Sequence, residues 1–228
     1  MSSIRAFFCA TIPKVGEQAH LSDDEKRHVF RVLRAKRGDE IILLDGCGKT
    51  AYAKVADGEQ IFVSSINIHS APQISIRLFV SPPRHSGMDE ILASSSEMAV
   101  SEIIPIICER SIAFSRNVEK WNRKIIESCK QSKNPFFPKI HETVSFEEAV
   151  KLQSGKISFY GDPYAKDTPE VSSFKGEISW FVGPEGGFSE KEISKMSEEG
   201  FKPLKLSPVI MRIETAATAG IAFLSNIR

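Results

Sequence analysis

Two kinds of periodicity divide the chain. Up to about position 72, short runs of alternating apolar and polar residues recur between turn residues. Positions 5–11, 40–44, 52–55 and 60–68 are predicted strands, separated by Gly38-Asp39, Asp45-Gly46 and Asp57-Gly58. One helical stretch, 26–36, interrupts them, with Arg27, Arg31 and Arg34 on one arc and Val29, Val32 and Leu33 on the other. Its apolar side is expected to lie on the strands and its arginine face to point outward. After Ser70-Ala71-Pro72-Gln73 the pattern changes. Strands at 74–80, 103–108, 156–160, 178–182 and 203–206 alternate with helices at 89–100, 118–130, 146–152, 190–199 and 215–226. That alternation predicts a mainly parallel sheet covered on both faces. The fold class is therefore α/β in two domains, a small β-rich one over 1–72 and a larger one over 73–228.

Within the second domain, one stretch stands apart. The strand ending at Val182 runs into Gly183-Pro184-Glu185-Gly186-Gly187-Phe188, and a helix follows, opened by Ser189 with Glu192 three residues on, a capping box. Glycines let backbone approach a ligand closely, and loops leaving the carboxyl ends of strands are where open α/β sheets bind ligands. A tight strand-to-helix connection with no ligand is the plainer account of the same residues. The second unusual stretch is Leu206 to Ala217. Arg212 and Glu214 are expected in a loop just before a final helix that is rich in small residues. A surface ion pair explains them simply; a place beside a ligand explains them more sharply. The final helix has a small-residue side (Ala216, Ala219, Gly220) and a bulky one (Ile221, Phe223, Leu224, Ile227). A helix apolar on both sides predicts a two-fold partner over one of them.

Composition narrows the functional classes only modestly. The formal net charge is +1, so bulk charge does not announce a nucleic-acid binder, but 26–37 carries six Lys/Arg and no acid. A local polyanion site and an ordinary solvated face are about equally good accounts of that run. Cys9, Cys47, Cys108 and Cys129 form no CxxC pair and no metal-ligand spacing with His20, His28, His69, His85 or His141. Gly46-Cys47-Gly48-Lys49-Thr50 ends like a phosphate loop, but Leu43 stands where its first glycine belongs, and a hairpin turn is expected. No G-x-G-x-x-G is present. With no leader-like start and no membrane-length apolar run, a cytoplasmic protein is expected.

The two C-terminal stretches, Gly183-Pro184-Glu185-Gly186-Gly187-Phe188-Ser189 and Leu206…Arg212-Ile213-Glu214-Thr215-Ala216, together resemble the paired motifs of the bacterial RsmE family. These are 16S ribosomal RNA uridine methyltransferases of the SPOUT superfamily. Arg5-Ala6-Phe7-Phe8, the His28 to Arg34 segment and Gly38-Asp39 resemble the family's PUA-like RNA-binding module, and Glu109-Arg110-Ser111, Trp121 and Gln131-Ser132 its central motifs. The chain departs from the family pattern at Ser207, Met211 and Asn134, and at Glu97-Met98-Ala99. The resemblance implies a PUA-like barrel followed by a trefoil-knotted methyltransferase domain. It also implies S-adenosylmethionine as cofactor, methylation of uracil N3, a homodimer, and 16S ribosomal RNA in an assembled small subunit or late precursor as partner. No metal and no membrane are implied. Arg212 and Glu214 become the catalytic candidates. Tyr160, Gly161, Gly183, Glu185, Gly186, Leu206, Ile210, Met211 and Thr215 are the cofactor candidates, and Arg5, Arg27, Arg31, Arg34 and Arg110 the RNA candidates. Another RNA base, a ribose 2′-hydroxyl, or a non-catalytic RNA-binding role are the alternatives.

Overall fold

The computed structural model describes residues 4–84, 86–112, 117–153, 156–166 and 176–226, so His85 and Ile227 lie outside the described residues. The chain divides into two compact units, Met1–Ala71 with Ile126–Phe137, and Pro72–Ile125 with Pro138–Arg228.

In the first unit β1 (Ala6–Phe8), β2 (Glu40–Leu44), β3 (Lys49–Ala56) and β4 (Gln60–Ile68) form one sheet in that order. β1 runs parallel to β2, and the other pairings are antiparallel. Alternation is the cause: Ala51, Ala53 and Val55 of β3 are buried while Tyr52 and Lys54 between them are exposed. They join Phe7, Val29, Ile41, Leu43, Ile61 and Val63 in a single core.

The helix of this unit departs from the predicted one. α1 (Asp23–Arg27) is capped by the Ser22 hydroxyl, then continues as a π-helical turn over His28–Val32. A π turn carries more residues than an α turn, so the 3.6-residue phase assumed from sequence is lost there. Val29 is fully buried as expected, whereas Val32 is 66% exposed. Arg34 lies past the helical segment with a positive φ of 54°. The three-arginine arc is therefore not formed. Arg27 and Arg31 stay on the helical segment, 3.5 Å from Asp24 and 3.8 Å from Glu59 respectively.

The glycine turn that mimics a phosphate loop is a hairpin turn, its shape set by Asp45 Oδ1 accepting from the amides of Cys47 and Lys49. Its glycines have a second use. A β-carbon on Gly46 would sit 2.9 Å from the Phe137 ring, and one on Gly48 2.6 Å from Phe136. Gly48 N donates to Pro135 O and Phe137 N to Gly46 O. Lys130 anchors the same segment: its ammonium lies 2.7 Å from Glu25 and 2.8 Å from Glu127. Burial works against that charge, but the two carboxylates outweigh it and raise the lysine above its usual range. A raised pKa means the pair holds through neutral pH and is lost only as the solution becomes strongly alkaline. A boundary at 72/73 does not anticipate this returning segment.

The second unit contains β5 (Ile74–Val80), α2 (Gly87–Glu97), β6 (Glu102–Ile107), the start of α3 (Val118–Ser132), β7 (Lys139–Ile140), β8 (Val144–Ser145), α4 (Phe146–Lys151), β9 (Ile157–Gly161), β10 (Gly176–Val182), α5 (Glu190–Glu198), β11 (Lys202–Leu204) and α6 (Ile213–Ser225). Its seven-stranded sheet runs β11-β9-β10-β5-β6-β7, with β8 also on β6, and every pairing among the described residues is parallel. β10 is buried on both faces, which is why it reads as an unbroken apolar run. On one side Phe181 stacks on Phe79 at 4.3 Å and meets Phe201 edge-on. On the other, Trp180 lies beneath α6 at Gly220, where a β-carbon would be 2.2 Å from the indole. Gly200, with φ 79°, ends α5 in the left-handed conformation expected of a C-cap glycine.

Candidate active site

A cavity of about 830 Å³ opens in the second unit. It is bounded by the residues that follow the carboxyl ends of β5, β9, β10 and β11, and by the start of α6. That is where an open parallel sheet leaves room for a ligand. The Gly183–Phe188 loop forms one wall. Gly187 has a positive φ of 69° and its amide donates to Pro184 O at 2.8 Å, closing the turn. At Gly183 a β-carbon would stand 3.1 Å from the Phe188 ring, so the backbone there passes close to the aromatic.

The loop ends in the predicted capping box: Ser189 Oγ accepts from Glu192 N, and Glu192 Oε2 accepts from Ser189 N at 2.8 Å. The other oxygen of Glu192 accepts from Glu109 N at 2.8 Å. Arg110 Nη1 donates to Gly186 O at 2.9 Å and to Phe188 O at 3.5 Å. Cys108 stands beside this network. Burial first, and then the Glu192 charge, push its thiol well above the usual range, so it stays protonated and is no nucleophile.

α6 begins two residues earlier than the sequence suggests, because Arg212 in extended conformation is already its N-cap. Glu214 therefore sits in the first helical turn, where the positive end of the helix favours a carboxylate. Its side chain is 19% exposed and lies 4.0 Å from the Arg212 guanidinium, which is 87% exposed. A half-buried carboxylate beside a free-reaching guanidinium can orient it, or accept a proton in its field.

The structure brings most of the predicted site residues together. Gly161, Gly183, Glu185, Gly186, Leu206, Ile210, Met211, Arg212 and Glu214 all line the cavity. Tyr160 and Thr215 do not. Tyr160 is buried in the aromatic core, edge-on to Phe188, and Thr215 is exposed on α6. Leu206 lines the cavity because β11 ends at Leu204, short of the predicted strand end. The predicted apolar slot is more open than expected, with Ile210 74% exposed. Of the RNA candidates, Arg5 is exposed at the entry to β1, and Arg110 is engaged with the glycine loop. Sequence reasoning missed Arg84, Glu90, Asp162 and Tyr164, which also line the cavity. Arg84 is 3.7 Å from Glu185. Their signal was positional: Arg84 and Asp162 come just after strand ends that the periodicity had located.

Comparison with known proteins gives these features a context. An RNA methyltransferase domain model matches residues 69–225, and an RNA methyltransferase PUA domain model matches 21–64. The chain is 32% identical over 218 residues to ribosomal RNA small subunit methyltransferase E of Aquifex aeolicus, covering 90% of this chain and 93% of that one. The protein of the same name from Synechocystis is 26% identical over 214 residues, covering 89% and 71%. Among solved structures, a ribosomal RNA small subunit methyltransferase E from Neisseria gonorrhoeae bound to S-adenosyl methionine superposes with a TM-score of 0.88, 28% identity and 97% coverage of both chains.

Proposed function

Because the chain belongs to the ribosomal RNA small subunit methyltransferase E family, we propose that it transfers a methyl group from S-adenosylmethionine to N3 of a uridine in 16S ribosomal RNA. The observation that carries this reading is the cavity itself: a glycine loop and the 206–212 segment enclose it, and Arg212 and Glu214 stand on its wall. At about 830 Å³ it is within the size range of small-molecule sites, and it suits a ligand with a flat purine and a cationic centre. Leu206, Ile210 and Met211 offer apolar surface for the purine, the glycine loop offers close backbone, and Glu90 and Glu214 offer negative charge. These residues, with Gly161, Gly183, Glu185 and Gly186, would hold the cofactor; Tyr160 would act on it only through Phe188. Bound there, S-adenosylmethionine supplies a methyl group already activated as a sulfonium, which needs no metal.

The chain's own residues must deal with the acceptor. Uracil N3 carries a proton at neutral pH, and its anion is spread onto the two flanking carbonyl oxygens. Arg212 beside those oxygens lowers the cost of the anion. Glu214 orients Arg212 or takes the N3 proton. The first unit, with Arg5, Arg27, Arg31 and Arg34, would hold RNA through phosphate contacts. Comparing 16S ribosomal RNA from a deletion strain and a complemented strain by mass spectrometry tests the whole reading. Loss of one N3-methyluridine is expected. Loss of a different modified base or of a 2′-O-methyl group would replace the target, and an unchanged spectrum would leave a binding factor.

The homodimer belongs to the same proposal. Phe223, Val209 and Ile210 leave apolar surface exposed on and just before α6, and a two-fold partner would cover it. Sedimentation at micromolar concentration is expected to give about twice 25.3 kDa. An active species of 25.3 kDa would remove the partner.

A further inference from the structure

A loop with three glycines in six residues is costly to order, because each glycine gives up much backbone freedom. Here the C-terminal half of the loop is tied twice to a neighbouring turn. The turn is Cys108–Ser111, just after β6, and it is itself rigid. Ser111 Oγ accepts from Cys108 N at 2.8 Å and shares a hydrogen bond with Ser81 Oγ, while Ser111 N donates to Cys108 O. From this turn Arg110 reaches the carbonyls of Gly186 and Phe188, and its aliphatic stem lies against Gly186, 3.4 Å from where a β-carbon would be. Immediately after the loop the buried Glu192 carboxylate accepts from two amides of separate segments, Ser189 and Glu109.

We propose that Arg110 and Glu192 are positioning residues that set the Gly183–Phe188 loop in its cofactor-binding form before the cofactor arrives. Fixing the Gly186 and Phe188 carbonyls fixes their peptide planes, and hence the amides of Gly187 and Ser189 that share them. A loop already ordered does not spend binding energy on its own immobilisation. The assignment also gives Arg110 a different partner from the RNA phosphate the sequence suggested. It rests on the proposed function, because the ligand used to read it out is S-adenosylmethionine.

The test is calorimetric titration of S-adenosylmethionine into the full chain and into Arg110→Ala, Arg110→Lys, Glu192→Gln and the Arg110→Ala/Glu192→Gln pair. Loss of a charge-assisted hydrogen bond should raise Kd about tenfold in Arg110→Ala. Lysine, reaching one carbonyl rather than two, should recover part of it. The pair should lose less than the product of the single effects, because both act through one loop. In the absence of cofactor, amide exchange at Gly187 should quicken in Arg110→Ala while the core strands keep their protection, which separates positioning from general loosening. RNA binding should keep its salt slope, whereas an Arg27→Ala/Arg31→Ala control should flatten it. An Arg110→Ala protein with parental Kd overturns the inference, as does one whose only change is a smaller salt slope, the mark of a phosphate contact. A parent protein that binds no S-adenosylmethionine overturns the proposed function, and this inference with it.

Discussion

Gly220→Ala is expected to lower the stability of the second unit, although alanine is the better helix former by about 1 kcal/mol. The methyl group would sit 2.2 Å from Trp180 Cε2 and 2.5 Å from Cζ2, distances that no pair of carbons tolerates. Trp180 cannot move aside easily, since it is fully buried on the central strand. Overpacking of this kind costs about 1–3 kcal/mol or more, so it outweighs the propensity gain. A net loss of about 2 kcal/mol should lower the melting temperature by roughly 4–8 °C, and Gly220→Leu should cost more still. Trp180→Phe in the Gly220→Ala background removes the clashing ring and should recover part of the loss. A Gly220→Ala protein that melts at or above the parent temperature would show that α6 slides away freely. Because Trp180 also lines the cavity, the same variant should weaken cofactor binding, which makes packing at Gly220 a functional matter.

The second large effect is at Arg212. Its alanine variant should lose about a hundredfold or more in kcat, the size found when a donor aimed at developing negative charge is removed. Affinity for S-adenosylmethionine should stay within about twofold, since the guanidinium is exposed and free to serve the acceptor rather than the cofactor. Arg212→Lys should keep part of the rate. Glu214→Gln separates the two roles open to that carboxylate. If Glu214 takes the proton, the variant loses as much rate as Arg212→Ala and its pH–rate profile flattens. If Glu214 only orients Arg212, the loss is smaller and the profile keeps its shape. An Arg212→Ala enzyme with parental kcat would move the chemistry elsewhere in the cavity.

Much of this was legible from residues alone, and the limits are physical. The strands 40–44, 60–68 and 74–80 agree end for end with β2, β4 and β5, because alternation or a bounded apolar run leaves little choice. The Ser189 capping box was legible for the same reason: it is a local motif. β7 and β8, two residues each, are too short to have a period. The arginine arc failed at His28–Val32 because a π turn leaves no mark in hydrophobic spacing. Arg110 looked like an RNA contact because its acceptors, the carbonyls of Gly186 and Phe188, lie more than seventy positions along the chain. Tyr160 was among the cofactor candidates, yet successive strand residues point to opposite faces, and Gly161 is the one that lines the cavity. The knot implied by the resemblance is a property of threading, which no periodicity encodes.

The return of 126–137 to the first unit bears on how the protein is made. A ribosome delivers residues in order, and the first seventy emerge with the slots above Gly46 and Gly48 unfilled and Glu25 lacking its lysine. Phe136 and Phe137 arrive only after β5, α2 and β6 have been synthesised. At about 5–20 residues per second, the nascent module waits several seconds with an open apolar seam and the Glu25 carboxylate without its lysine. The N-terminal module is thus completed late, in trust of sequence not yet translated, and a message truncated before codon 137 would yield that module with its seam at Gly46 and Gly48 still open.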